Sequence, residues 1–155
     1  MATTEAPGTD LTGWVTFLRA HAAITREMSA QLQREHGLTL HDYEVLLRLS
    51  RADGFMMRRV DLAQSVLLTA SGITRLLEGL ERAGLVEKAT CQTDARVSYA
   101  KLTAAGRAKL RTARVTHRRH VDELFTGRYS GSELETLAQL LARLPLAEAP
   151  GSDCG

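Results

Sequence analysis

The chain has 155 residues, with 44% hydrophobic and 25% charged side chains and a formal net charge of +2, the proportions of one ordinary globular domain. No apolar run reaches the length of a membrane span, and the opening MATTEAPGTD lacks the basic-then-apolar pattern of a secretory leader, so a cytoplasmic location is expected. Two cysteines, Cys91 and Cys154, make no disulfide framework, as suits a reducing compartment. The small net charge hides a segregation: residues 58–119 carry 13 Lys and Arg against 5 Asp and Glu, and the remainder carries 7 against 13. A basic centre between acidic ends is the footprint of a phosphate-binding module.

Residues 1–10 are small, polar and Pro/Gly-containing, and are expected to form a disordered tail. Leu11 to about Glu35 reads as a long helix. Its apolar face, Trp14, Phe17, Leu18, His21, Ile24, Met28 and Leu32, is too broad for one packing partner, which points to contacts inside the subunit and with another one. His36-Gly37 stops it. Thr39 with Asp42 three residues on makes a capping box for a second helix carrying Leu40, Tyr43, Leu46, Leu47 and Leu49. Arg51 to Gly54 is a turn. A short helix over about Arg59 to Ser65 is predicted to bury Val60, Leu62, Ala63 and Val66, and Arg58 and Arg59 are placed to meet phosphates.

Val66-Leu67-Leu68 stands where a helix-turn-helix often carries Gly, so a looser corner is expected. Thr69 can cap the next helix by accepting from the amide of Ser71 or Gly72. Ile73, Leu76, Leu77 and Leu80 then recur at i, i+3, i+4, i+7 as one buried stripe. Ser71, Thr74, Arg75 and Glu78 share the opposite face; short donors and a guanidinium on one exposed face suit the reading of base edges in a major groove. Gly84 can take the left-handed conformation that ends a helix.

The periodicity then switches toward 2. Leu85 to Ala89 and Val97 to Leu102 can pair as an antiparallel hairpin, with Cys91 to Arg96 as its polar tip. Arg96 at that tip suits a narrow minor groove, and Asp94 can brace it through a bidentate pair. Thr103 caps a basic helix (Arg107, Lys109, Arg111, Arg114, Arg118, Arg119) running to about Phe125, with Val121, Leu124 and Phe125 expected in a core. Gly127 to Gly131 is a break. Ser130 or Ser132 caps a last helix striped by Leu134, Leu137, Leu141 and Leu144, and residues 145–155, with Pro145 and Pro150, are expected to be a flexible tail.

Asp94-Ala95-Arg96, five residues, then Leu102-Thr103-Ala104-Ala105-Gly106 is similar to the wing signature D-x-R-x5-L-T-x-x-G of the MarR family of bacterial transcription regulators. Thr69 to Arg75 followed by Leu77, Leu80 and Gly84-Leu85-Val86 resembles that family's recognition helix, and Leu38-Thr39-Leu40 with Tyr43, Val45, Leu46 and Leu49 its second helix. The resemblance implies a mainly α fold with a small β-hairpin wing. Residues 36–102 would be the winged helix-turn-helix, and residues 11–35 and 103–144 would be helices of a dimerisation region. It implies a homodimer on double-stranded DNA with a palindromic operator, its two recognition helices roughly 34–36 Å apart. Repression would be relieved by a small aromatic or phenolic ligand between the dimerisation helices and the winged helix. The residues expected on DNA are Arg58, Arg59, Thr69, Ser71, Thr74, Arg75, Asp94 and Arg96; those expected at the ligand are Trp14, His21, Tyr43, Arg48 and His117. Ala70, Gln92 and Ala95 stand where the family often has a basic residue or proline, so affinity would lean on Arg75 and Arg96.

No cofactor or metal is expected, and no phosphate loop, nucleophile elbow or metal-ligand spacing points to an enzyme. Two other modes of control remain open: a redox switch at Cys91, in a basic neighbourhood that favours a thiolate, and a metal at His117 and His120 with His21, His36 or His41. A winged helix that binds protein rather than DNA is the other class, against which Arg75 and Arg96 weigh. A salt titration separates the two.

Overall fold

The computed structural model describes residues 10–66 and 68–145. Nearly all of the expected N-terminal tail, the C-terminal tail from Leu146 with Cys154, and Leu67 of the helix-turn-helix corner lie outside the described residues. In chain order the elements are α1 (Thr12–His36), α2 (Leu40–Arg51), a 3-10 turn (Asp53–Phe55), β1 (Met56–Arg58), α3 (Arg59–Ser65), α4 (Ala70–Arg82), β2 (Val86–Thr90), β3 (Ser98–Leu102), α5 (Ala104–Leu124), a second 3-10 turn (Thr126–Arg128) and α6 (Gly131–Leu141). The chain is mostly helical with one small antiparallel sheet.

The helix starts follow the expected capping chemistry. The Thr39 hydroxyl accepts from the Asp42 amide and the Asp42 carboxylate from the Thr39 amide, and Ser130 with Glu133 repeats the arrangement at α6. The core gathers the inward stripes of α2, α3 and α4 with the wing: Val45, Leu46, Leu49, Leu62, Leu77, Ala100 and Leu102 are all buried, joined by Leu32 of α1 and Leu110 and Ala113 of α5. Burial of this apolar surface is what holds the short α3 in place, since seven residues form no stable helix alone.

Three expectations need correction. The wing sheet has three strands, not two. Met56–Arg58 pairs with β3 on the side away from β2, with Met57 opposite Ala100, giving the order β1-β3-β2. Three residues carry too little alternation to be read as a strand; tertiary pairing decides their conformation. Val60 is 63% exposed, because Leu62, Ala63 and Val66 take the inward face of α3 and leave Val60 on the other. Val121, Leu124 and Phe125 are only half-buried.

The corner after α3 is closed without glycine, by the Leu68 amide donating to the Ala63 carbonyl at 2.9 Å. The loop before β1 turns through left-handed Gly54 (φ 62°) and Phe55 (φ 60°). That conformation is costly for a residue with a Cβ. The Arg107 guanidinium lies 4.8 Å over the Phe55 ring, holding the loop to the start of α5.

Candidate nucleic-acid interface

The residues of α4 divide as their spacing requires. Ile73, Leu77 and Leu80 are buried and Leu76 half-buried, while Ser71, Thr74, Arg75 and Glu78 are all exposed on the other side. Thr69 caps the helix by accepting from the Gly72 amide at 3.1 Å, and its hydroxyl also meets Ser71 Oγ at 3.2 Å. The two short hydroxyls therefore sit together at the first turn, with Arg75 one turn further on.

The wing is anchored at its base and open at its tip. Thr103 does three things at once: its hydroxyl accepts from the Gly106 amide at 3.0 Å, donates to the Gly84 carbonyl at 2.7 Å, and its amide donates to the Leu85 carbonyl at 3.1 Å. Gly106 packs so tightly that a Cβ there would collide with the Leu85 carbonyl oxygen. The L-T-x-x-G half of the wing signature is thus structural: buried Leu102, the Thr103 hook and the close approach at Gly106 weld the end of α4, the wing and the start of α5 together.

At the tip, Asp94 Oδ1 accepts from the Arg96 amide at 3.0 Å and from Arg96 Nε at 3.3 Å. The brace is through one carboxylate oxygen, not the two-oxygen fork expected from the sequence. It orders the backbone turn and leaves the Arg96 side chain 93% exposed.

Arg58 and Arg59 behave differently from a pair of free phosphate hands. Arg58 donates from Nε to Asp61 at 2.8 Å and from its Nη2 at 3.1 Å, a fork within α3's first turn. Arg59 is turned inward toward Glu81 of α4, 3.7 Å away, with both side chains only 18% exposed. Cys91, at the root of the wing loop, is half-exposed, and its Sγ lies 3.0 Å from Thr93 Oγ1. Hydrogen bonds from the Thr93 side chain, and then from the backbone at Thr93 and Asp94, hold its thiol down at about 7. The cause is hydrogen bonding rather than the basic neighbourhood read from the sequence.

The five expected ligand residues fall into separate groups. Tyr43 of α2 and His117 of α5 stack at 4.4 Å between ring centroids. Burial pushes the Tyr43 hydroxyl up, opposed by the charges of Arg114 and Arg51; burial, then the nearby His120, pushes His117 down. Trp14 and His21 instead belong to a row on α1, with Phe17 between them at 6.5 and 6.3 Å, and Trp14 is 58% exposed. Arg48 is half-buried on α2.

Sequence reasoning missed the network beside the Tyr43–His117 stack. His36 Nε2 meets Thr116 Oγ1 at 2.7 Å, Thr116 donates to Glu35 at 3.2 Å, and Arg119 Nη2 donates to the same carboxylate at 2.8 Å. Buried His120 faces Glu35 at 3.4 Å, and its Nδ1 has no hydrogen-bond partner among the described residues. These groups join the end of α1 to the middle of α5 across some eighty positions, a distance that no local pattern spans. Among the described residues no group of three or more His, Cys, Asp or Glu side chains is arranged to hold a metal, and no helix is long and apolar enough to cross a membrane.

Known proteins place this geometry. Residues 36–97 match the MarR family profile. The sequence is similar to the transcriptional regulator HosA of Escherichia coli O111:H-, 31% identical over 107 residues that span 69% of this chain and 77% of that one. The fold is similar to that of Sco3205, a MarR family transcriptional regulator from Streptomyces coelicolor in complex with DNA, at a TM-score of 0.82 and 22% identity, covering 92% of this chain and 89% of that one. It is similar also to AbsC, a MarR family transcriptional regulator from Streptomyces coelicolor, at a TM-score of 0.80 and 30% identity, covering 91% of this chain and 95% of that one. The open donor face of α4, the braced arginine at the wing tip and these likenesses converge: the chain belongs to the MarR family and is a DNA-binding transcription regulator, not an enzyme.

Proposed function

We propose that the protein is a cytoplasmic, homodimeric repressor that grips a palindromic operator and lets go when a small aromatic or phenolic ligand binds. The observation that carries the DNA half is the joint exposure of Ser71, Thr74 and Arg75 on α4 and of Arg96 at the wing tip, on one welded module. Residues 36–102 act as that module, Arg75 and Thr74 reading base edges and Arg96 entering the minor groove. Thr69 and Ser71 approach the backbone at the helix start, where unpaired amides favour phosphate. Arg58 contributes charge at the rim, Asp94 orders the tip, and Arg59, held beside Glu81, supports α3 against α4 rather than meeting phosphate.

The dimer rests on the two ends of the chain. Leu11, Trp14, Val15, Phe17 and Leu18 of the α1 segment are exposed, as are Val115, Leu140 and Leu144, and α6 buries none of its residues. Helices in residues 11–35 and 103–144 from two copies cover these faces in this reading. The ligand sits where Tyr43 and His117 stack, between α2 of the DNA module and α5, with Arg48 at hand and Trp14 and His21 on the α1 side. It acts only through a difference in its affinity for the two spacings of the recognition helices.

Footprinting the full-length protein on DNA flanking its own gene, with sedimentation at the same concentrations, tests the reading. A protected palindrome, a two-fold mass and a steep fall of log affinity with log salt are expected. A monomer, or a flat salt response, overturns it. Titration with aromatic carboxylates and phenols is expected to quench Trp14 fluorescence and release the duplex; neither occurring removes the ligand. A second reading, control by oxidation, is favoured by the lowered Cys91 thiol. Equal operator binding by wild type and Cys91→Ser under peroxide disposes of it.

A further inference from the structure

Two ion pairs of the DNA-binding module converge on one carboxylate. Glu81, in the last turn of α4, lies 3.7 Å from Arg59 Nη1 at the start of α3 and 3.9 Å from Lys88 Nζ on β2. Its Oε1 is buried and has no hydrogen-bond partner among the described residues. Separations of 3.7 and 3.9 Å are beyond hydrogen-bond range, so Coulomb attraction is what ties Glu81 to its two cations. A carboxylate taken out of water without a hydrogen bond is costly unless opposite charge compensates it. Arg59 and Lys88 supply that charge from two different elements.

Two consequences follow. The helix before the turn, the recognition helix and the outer wing strand β2 come together at Glu81, which ties their relative placement there. Specific binding needs α4 and the wing tip to reach neighbouring grooves together, and a constellation held rigid beforehand loses less on binding. The second concerns charge. Cations facing a duplex add affinity for any sequence through counterion release, whereas Arg59 is turned inward toward Glu81 and the more exposed Lys88 is drawn to within 3.9 Å of it.

We infer that Glu81 is a positioning residue for discrimination between DNA sequences: it couples α3, α4 and β2, holds Arg59 back from the phosphates of unrelated duplexes and draws Lys88 away from them. The inference rests on the DNA-binding reading of the α4 face and the wing.

Glu81→Gln in the full-length protein tests it, with affinities measured across a salt series. The probes are a duplex selected by the wild type from a random pool and a scrambled duplex of the same length. The ratio of the two affinities is expected to fall about tenfold or more, within the range separating specific from non-specific binding. Scrambled binding should rise, and its salt slope should steepen by up to about 0.9 for each of the two released cations. In an Arg59→Ala background the effect of Glu81→Gln should shrink, because the shared partner is gone. Lys88→Gln, at an exposed position that leaves folding intact, should weaken the selected duplex and spare the scrambled one. Parallel losses on both duplexes at unchanged slope would reduce Glu81 to a structural support and overturn the inference, as would an undiminished effect without Arg59. If Glu81→Gln does not fold, an unchanged ratio in Lys88→Gln overturns it. A wild type that selects no duplex sinks the DNA-binding reading itself, and this inference with it.

Discussion

The middle of the chain and its two ends differ in how much of their apolar surface the monomer covers. Between α2 and β3 the large side chains Leu46, Leu49, Leu62, Leu77 and Leu102 are fully buried against one another. Residues 11–23 of α1, by contrast, are exposed throughout, and no residue of α6 is buried. Both regions are amphipathic in sequence, so periodicity alone does not distinguish a face that has found its partner from one that awaits it. In the proposed dimer, the contrast separates what folds as a unit from what depends on association.

The sharpest test compares truncations in the two regions. Leu77→Ala, in the filled core, should destabilise folding by about 2–5 kcal/mol, read as a lowered urea midpoint that does not vary with protein concentration. Leu18→Asp, on the open face of α1, should weaken the proposed dimer by about 2 kcal/mol or more, read as a higher dissociation constant by sedimentation. If Leu18→Asp instead lowers stability at all concentrations alike, the division between middle and ends is wrong.

Arg96→Ala should cost about 1–3 kcal/mol of DNA binding while leaving the unfolding curve in place, since the side chain is almost wholly exposed and its partner among the described residues is Asp94 of the same turn. A folding loss of similar size would make the wing tip part of the scaffold. The smallest effect concerns His117, which bridges the two regions on Tyr43. Its proton is held less tightly folded than unfolded, so the unfolded chain takes up more protons as pH falls. Stability is therefore intact above the ordinary histidine value of about 6.5 and declines as the pH falls below it. Denaturant midpoints below that value should drop in the wild type and drop less in His117→Phe. A flat wild-type profile would show that the stack is looser in solution.

How much of this was legible in the residues themselves depends on reach. The stripe of α4, the Thr69 and Thr103 caps and the wing signature are local, each decided within a turn or a hairpin, and the structure places their side chains as their spacing requires. Strand β1 was not legible: Met56-Met57-Arg58 carries no alternation and becomes a strand only because β3 lies beside it. The inward turn of Arg59 was equally hidden, because Glu81 is on another helix and nothing near Arg59 announces a partner. The Glu35–Thr116–Arg119–His120 network is the extreme case. Its members are ordinary surface-type residues in sequence, and only the packing of α1 on α5 brings them together.

The Thr103 hook leaves no slack between the wing and the helix that follows it. With its first turn fastened to Gly84 and Leu85, α5 behaves as a stiff lever of about 31 Å, its 21 residues at about 1.5 Å each. A tilt of about 5° over that length corresponds to about 3 Å of travel at its far end. The Thr103 hydrogen bonds leave little room to absorb motion of that size at the start of α5. In the proposed repressor it would arrive at the DNA-reading surface as a change of stance.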